Sequence, residues 1–122
     1  MADEITIIAG ISVLKSNLSA TIPTVSSTVD LSGTRFIRNC QTIGTTYEAV
    51  TTGDLATAGW CYIKNCDTTN YVEFGVEVAA TFYGFVKILA GETAGPFKLS
   101  TLSIFGRANT ASVVADIFIT EA

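Results

Sequence analysis

Residues 71–78 read YVEFGVEV, a stretch in which apolar side chains occupy every second position. Successive side chains of a β-strand point to opposite faces of its sheet, so this period of two predicts a strand with one face in a core. The core-facing side chains are expected to be those of Val72, Phe74, Val76 and Val78. The other face, against solvent or another subunit, would carry Tyr71, Glu73 and Glu77.

The same alternation recurs along the chain, in segments rich in Val, Ile, Phe, Tyr and Thr. These segments span residues 5–14, 34–43, 59–65, 81–89, 102–108 and 112–120, with a weaker one at 21–31. The weaker segment contains Pro23, which cannot donate to a sheet ladder and is therefore expected at a sheet edge or a strand start. Turn-forming stretches separate the segments at residues 32–34, 53–59, 66–70, 90–96 and 107–112.

This pattern predicts an all-β fold without helices. The specific expectation is a single-domain antiparallel β-sandwich, jelly-roll-like, with roughly eight to nine short strands. One domain is expected over residues 1–122, because no linker or shift of composition interrupts the chain. Residues 1–15 are expected to form either the first strand of this domain or an N-terminal arm exchanged with a neighbouring copy.

The composition indicates a protein that associates with others. Hydrophobic residues make up 48% of the 122 residues and charged residues 15%, with a mean hydropathy of +0.45. Large apolar patches rarely stay exposed, so the surplus is expected to cover an interface in a homo-oligomer. The net charge is −4 and the seven Lys and Arg residues are scattered, which disfavours binding to nucleic acid or to a membrane surface. Acidic residues stand in MADEITIIAG where a signal peptide carries positive charge, so synthesis in the cytoplasm is expected.

Two of the three cysteines, Cys61 and Cys66, lie five positions apart beside aromatic residues. If residues 59–65 and 71–78 are antiparallel partners joined by a hairpin loop, the two thiols face opposite ways and lie roughly 16 Å apart. A disulfide needs Cα atoms within about 7 Å, so these two thiols cannot pair. The chain has no histidine and only Cys40 as a further thiol, too few ligands for zinc. We expect buried, inert thiols and neither a metal nor a cofactor.

The sequence also lacks the residue patterns of known catalytic sites. The absence of histidine removes every Ser–His or Cys–His nucleophile pair. Glu73 and Glu77 share a strand face but lie roughly 13 Å apart at the usual rise, whereas glycoside hydrolysis needs about 5 to 9.5 Å. The glycines of AGETAGP at residues 90–96 are not followed by the lysine of a phosphate-binding loop. We therefore expect that the protein is not an enzyme.

Several ordered segments resemble a family of viral proteins. They are QTIGTTYEAVTTGDLATAGWCYIKNCDTTNYVEFG at 41–75, FVKILAGETAGPFKL at 85–99 and IFGRANTASVVADIFITEA at 104–122. In this order they are similar to the motifs of a group of small β-rich structural proteins of tailed bacteriophages. EITIIAGISVLKSN at residues 4–17 also resembles the opening of that group, so the similarity covers nearly the whole chain. Cys61 and Cys66 depart from the pattern, since aromatic or aliphatic residues are usual at their positions.

The resemblance implies a virion protein without catalytic activity. Together with a compact, acidic β-domain, it leads us to expect a capsid decoration (cement) protein on the capsid surface. Such proteins commonly form trimers that clamp neighbouring subunits of the phage major capsid protein, through apolar burial multiplied by avidity. The expected assembly contacts are apolar side chains of the N-terminal segment and polar side chains of two loops: Ile5, Ile7, Ile8, Ile11, Asp67, Thr68, Thr69, Asn70 and Glu92.

A second hypothesis is a tail or fibre component that contacts a glycan on the host surface. Aromatic side chains can form a platform for a sugar ring, and the candidates are Trp60, Tyr62 and Tyr71. Aromatic residues at alternate strand positions also serve as core or interface residues, so decoration remains the first hypothesis.

Overall fold

The described part of the chain consists of β-strands and their connections. A computed structural model describes residues 4–31 and 33–121, and within these ranges ten strands form three antiparallel sheets and no helix occurs. The chain divides between residues 32 and 33 into two compact units, which we call the hairpin unit and the body. The expectation of one domain over residues 1–122 stays a prediction.

The hairpin unit is a two-stranded antiparallel sheet of β1 (Ile5–Lys15) and β2 (Leu18–Val29). Residues 16 and 17 form the turn, in which Ser16 has a φ of 51°. Two-residue loops with positive φ match the twist of paired strands. Both strands of a two-stranded sheet are edges, so Pro23 lies inside β2 at an edge position, as the sequence predicts.

A β-bulge in β2 decides which side chains share a face of the hairpin. The apolar residues of β2 stand at even positions up to Ile22 and at odd positions from Val25 onward. The register changes at the same place, because Ala9 pairs with Val25 whereas Ile11 pairs with Ile22. An extra residue in one strand reverses the face to which the following side chains point. The bulge therefore brings the apolar residues from both halves of β2 to one face.

The body holds two four-stranded sheets. The first has the order β3–β10–β5–β8, formed by Phe36–Ile43, Val113–Thr120, Trp60–Asn65 and Thr93–Lys98. The second has the order β4–β9–β6–β7, formed by Glu48–Ala49, Phe105–Ala108, Val72–Val78 and Thr81–Ile88. Pairing is nested: β3 pairs with β10, β4 with β9, β5 with β8 and β6 with β7.

Residues from both sheets of the body form one hydrophobic core. The first sheet contributes Ile43, Cys61, Ile63, Val113, Ala115, Ile117 and Ile119, and the second contributes Val72, Phe74, Ile88 and Ala108. Every second residue of β10 from Val113 to Ile119 is fully buried, because these side chains point into the core and β3 and β5 flank the strand on both sides. Burying one large aliphatic side chain stabilises a fold by about 1.5–3 kcal/mol, so β10 contributes strongly to the stability of the body.

The predicted number of strands is too low. β8 begins inside the stretch 90–96, for which the sequence predicts a turn. Pro96 is compatible with β8 because β8 is at the edge of its sheet. β4 has only two residues, which is too short for an alternating pattern to reveal.

The predicted pairing of residues 59–65 with residues 71–78 is wrong. β5 pairs with β10 and β8, whereas β6 pairs with β9 and β7 in the other sheet. The residues between β5 and β6 therefore cross from one sheet to the other and do not close a hairpin. Alternation reports which face of a strand is buried, but it carries no information about the neighbouring strand.

The predicted core face of residues 71–78 is buried only in its first half. Val72 and Phe74 are 0% and 3% exposed, whereas Val78 is 57% exposed. β6 and β7 run on to a two-residue turn at Ala79 and Ala80, both of which have positive φ. The turn end of β6 and β7 therefore carries apolar side chains that the core does not cover.

Candidate functional site

One face of the hairpin unit is almost entirely apolar. We call it the apolar face, and the register assigns to it Ile5, Ile7, Ala9, Ile11, Val13, Leu18, Ala20, Ile22, Val25 and Val29, with Lys15 and Ser27 as its polar members. The exposed fractions of Ile11, Leu18 and Ile22 are 65%, 61% and 61%. Between residues 5 and 29 only Lys15 is charged. Monomeric proteins rarely leave such a surface uncovered, so the apolar face is a candidate interface.

The opposite face of the hairpin is mainly hydroxylated. It carries Thr6, Ser12, Ser19, Thr21, Ser26 and Thr28, together with Ile8 and Leu14. The four isoleucines predicted as assembly contacts therefore lie on two different faces. Ile5, Ile7 and Ile11 share the apolar face, whereas Ile8 points to the other side. Ile5 and Ile7 are half-buried, and Ile8 and Ile11 are exposed.

The two predicted contact loops lie together at one end of the body, and Asn65 connects them. Its backbone N–H donates to the Glu92 carbonyl at 3.0 Å, and its carbonyl accepts the Gly91 N–H at 3.1 Å. Its side-chain Nδ2 donates to the Asn70 carbonyl at 2.9 Å. Asn65 is fully buried, so these bonds are shielded from water. Residues 67–70 and Glu92 are thereby held in one surface region, which we call the loop end.

The carboxylates of the loop end bind their own backbone. Oδ2 of Asp67 accepts the N–H groups of Thr69 at 3.0 Å and Asn70 at 2.6 Å. These bonds, with that from Asn70 contributing most, hold the pKa of Asp67 below its usual range. Oε1 of Glu92 accepts a backbone N–H three residues earlier at 3.1 Å. Both carboxylates therefore hold the backbone of their own loops, and the exposed Thr68 lies beside these bonds.

The three aromatic residues of the glycan hypothesis do not share a surface. Trp60 and Tyr62 lie on the outer face of β5, alternating with the buried Cys61. Tyr71 precedes β6 in the other sheet, where Lys87 Nζ lies 4.2 Å from the centre of its ring. The structure therefore brings Trp60 and Tyr62 together and leaves Tyr71 out.

Two further aromatic residues on the outer face of the first sheet were not among the candidates predicted from the sequence. Phe118 pairs directly with Tyr62 in the ladder of β10 and β5. Phe36 is 62% exposed and stacks on Phe118, with ring centroids 5.4 Å apart. Alternation places both rings opposite the core face of their strands, a signal that was present in the sequence. Their proximity was not, because more than half of the chain separates them.

The cysteines occupy different environments. Cys61 is buried as expected, and burial raises the pKa of its thiol to about 12. The expectation that Cys66 is buried is wrong, because β5 ends at Asn65 and Cys66 begins the exposed crossing between the sheets. Cys40 is also exposed. Within residues 4–31 and 33–121, no group of three or more His, Cys, Asp or Glu residues could hold a metal ion.

Glu73 and Glu77 each bind a different neighbour on the outer face of the second sheet. Oε1 of Glu73 accepts a bond from Arg107 Nη2 at 3.1 Å. A hydrogen bond to Glu77 raises the pKa of Tyr47 above its ordinary value. Both glutamates thus have partners suited to holding a strand surface, and neither faces the other across a cleft.

Comparison with known proteins provides no relative from which a function could be transferred. The chain matches no protein-family model, no curated protein and no solved structure. The part of the chain that the structure describes contains no helix long and apolar enough to cross a membrane. The function therefore has to be inferred from the surfaces of the molecule, chief among them the apolar face.

Proposed function

We propose that this protein is a non-enzymatic structural protein of a bacteriophage virion, a capsid decoration (cement) protein that stabilises the head by binding across major capsid subunits. The observation that carries the proposal is the apolar face, where Ile11 and Ile22 pair and remain 65% and 61% exposed. A two-stranded sheet is marginally stable by itself in water, so covering the apolar face with a partner would stabilise this unit. The resemblance of the ordered segments to small phage structural proteins supports the virion as the setting.

The partner that covers the apolar face is other copies of the same chain. A decoration protein has to stay dissolved between its synthesis and its arrival at the capsid. An uncovered stripe with Lys15 as its only charge would cause non-specific aggregation during that interval. Copies of the chain are produced together and are available to each other at once. The apolar face is therefore buried in a homo-oligomer before the capsid is reached.

Three copies cover this narrow face better than two. Strands lie about 4.8 Å apart, so a two-stranded sheet is only roughly 10 Å wide. Two such sheets packed face to face leave the β1 and β2 edges of each apolar face open to water. Three sheets around a threefold axis enclose a prism, in which the β1 edge of each copy meets the β2 edge of the next. A homotrimer also presents three equal surfaces to the capsid, which multiplies weak contacts by avidity.

The body is proposed to be a jelly-roll sandwich. When its strands are numbered one to eight, the sheets have the orders 1–8–3–6 and 2–7–4–5. The first strand pairs with the last, the second with the seventh, and so on to the central hairpin. Nested pairing within two four-stranded sheets is the arrangement expected of a jelly roll, a fold that occurs in viral capsid and lectin domains. The fold alone implies no function, but it supplies a rigid support for binding loops.

The loop end of the body is the proposed capsid contact. Its loops are already ordered by the bonds of Asn65 and Asp67, so little conformational entropy is lost when a partner binds. The exposed side chains around these bonds, including Thr68 and Thr69, are available for polar contacts with a capsid subunit.

Labelling of whole virions tests the proposal. A gold-tagged antibody against this chain is applied to intact particles, which are then viewed by electron microscopy. Gold spread over the head is expected of a decoration protein. Gold confined to the tail would overturn the proposal and favour the tail or fibre component, and particles without the protein would overturn both.

A further inference from the structure

The outer face of the first sheet carries an exposed aromatic group for which the proposed assembly has no use. Phe118 of β10 lies between Arg38 of β3 and Tyr62 of β5 in the ladder. Phe36 stacks on Phe118 with an interplanar angle of 24°. Tyr62 is 41% exposed and Phe36 is 62% exposed. Aromatic rings left in water on a sheet surface favour a binding role.

An ion pair lies directly beside these rings. Arg38 Nη2 donates to Asp116 Oδ2 at 3.1 Å, and Arg38 Nε lies 3.4 Å from Oδ1. A guanidinium group has five N–H donors, so this arrangement leaves three for another partner. The Arg38 side chain is 67% exposed, and that of Asp116 is 22% exposed. The pair therefore offers both donors and acceptors at a surface without adding net charge.

Two of these rings and the ion pair line one small cavity. Its volume is about 240 Å³ and its walls are Arg38, Tyr62, Asp116 and Phe118. Sites for drug-sized ligands span about 300–1,000 Å³, so this cavity suits a smaller group. A protein partner would instead cover roughly 800 Å² of each surface.

We propose that this cavity binds one pyranose ring of a neutral glycan. The faces of a pyranose carry C–H groups, which are attracted to the negative faces of aromatic rings such as Phe118 and Tyr62. The rim of the pyranose carries hydroxyl groups. These can accept hydrogen bonds from the guanidinium of Arg38 and donate hydrogen bonds to the carboxylate of Asp116. The site differs from the platform expected from sequence, since Phe118, Arg38 and Asp116 replace Tyr71. It is independent of the decoration function, because a sugar can be bound on the outer surface of a virion head or tail.

Saturation-transfer NMR on the full chain tests this site. The probes are the methyl glycosides of glucose, galactose, mannose and N-acetylglucosamine. At least one glycoside is expected to give a saturable signal that is strongest at its ring C–H protons. Phe118→Ala and Arg38→Met, which keeps the aliphatic stem, are each expected to weaken binding at least tenfold.

The control is Phe85→Ala, which removes an aromatic ring that is 71% exposed in β7 of the other sheet. It is expected to leave the signal unchanged. Far-ultraviolet circular dichroism and the midpoint of urea unfolding verify that each variant is folded. The proposal is refuted if no glycoside gives a saturable signal, or if folded Arg38→Met binds like the wild type. It is also refuted if Phe118→Ala dissociates the oligomer, since the rings would then belong to a protein interface.

Discussion

Truncation of Ile11 provides the most direct test of the apolar face. Ile11→Ala removes three carbon groups, each of which contributes about 0.8 kcal/mol when it is taken fully out of water. Ile11 is 65% exposed in the single chain. Covering that fraction in an oligomer therefore contributes about 1.5 kcal/mol per copy. Three copies lose between about 4 and 5 kcal/mol, a factor on the order of 10³ in the association constant.

Sedimentation velocity over a dilution series measures this loss. Dissociation of a trimer depends on the square of the concentration, so the midpoint is expected to move roughly 30- to 50-fold toward higher concentration. Leu14→Ala is the matched control, because it removes as many carbons from a side chain that is 82% exposed on the opposite face. Equal shifts in the two variants, or no shift in Ile11→Ala, would refute the assignment of the interface.

Three further predictions concern the body. Ile117 is fully buried in β10, so Ile117→Ala is expected to lower the free energy of unfolding by about 2–5 kcal/mol. Urea unfolding measures this loss, and a value below about 1 kcal/mol would contradict the contribution of β10 to the core. Glu121 accepts the N–H groups of Ala56 and Thr34, each at 2.8 Å, and these bonds lower its pKa. Its contribution is therefore present above the pKa of the unfolded chain and lost as the pH falls through the folded value. Glu121→Gln is expected to lower the melting temperature at neutral pH, with the difference closing in acid; a constant difference would count against this reading. A thiol reagent at pH 8 is expected to label the exposed Cys40 and Cys66 quickly. Cys61 is expected to react only after denaturation, because it is buried and burial raises the pKa of its thiol to about 12. Fast labelling of all three thiols would contradict the burial of Cys61.

The sequence predicts the fold class well because its signal is local. Alternation within a strand depends on neighbours two residues apart, so it correctly identifies β6 and β10 as strands and Val72 and Phe74 of β6 as buried. It cannot predict the edge strand β8, whose Gly95 and Pro96 are typical of a turn. The sequence predicts that the isoleucines of the N-terminal segment are assembly contacts. It does not predict that they divide between the two faces of the hairpin unit.

The sequence alone establishes the period of every strand except β4 and β8, the absence of histidine and the apolar surplus. The tertiary structure alone shows which strands are neighbours. It separates β5 from β6, gathers Phe36, Tyr62 and Phe118 from three distant segments, and places Glu92 beside residues 67–70. The shift of apolar residues from even to odd positions between Ile22 and Val25 is visible in the sequence. Only the strand register explains it, because a β-bulge at that point keeps both sets on one face. The physical reason is that side-chain direction is set by each strand's own backbone, whereas pairing is set by hydrogen bonds and packing between residues far apart in the chain.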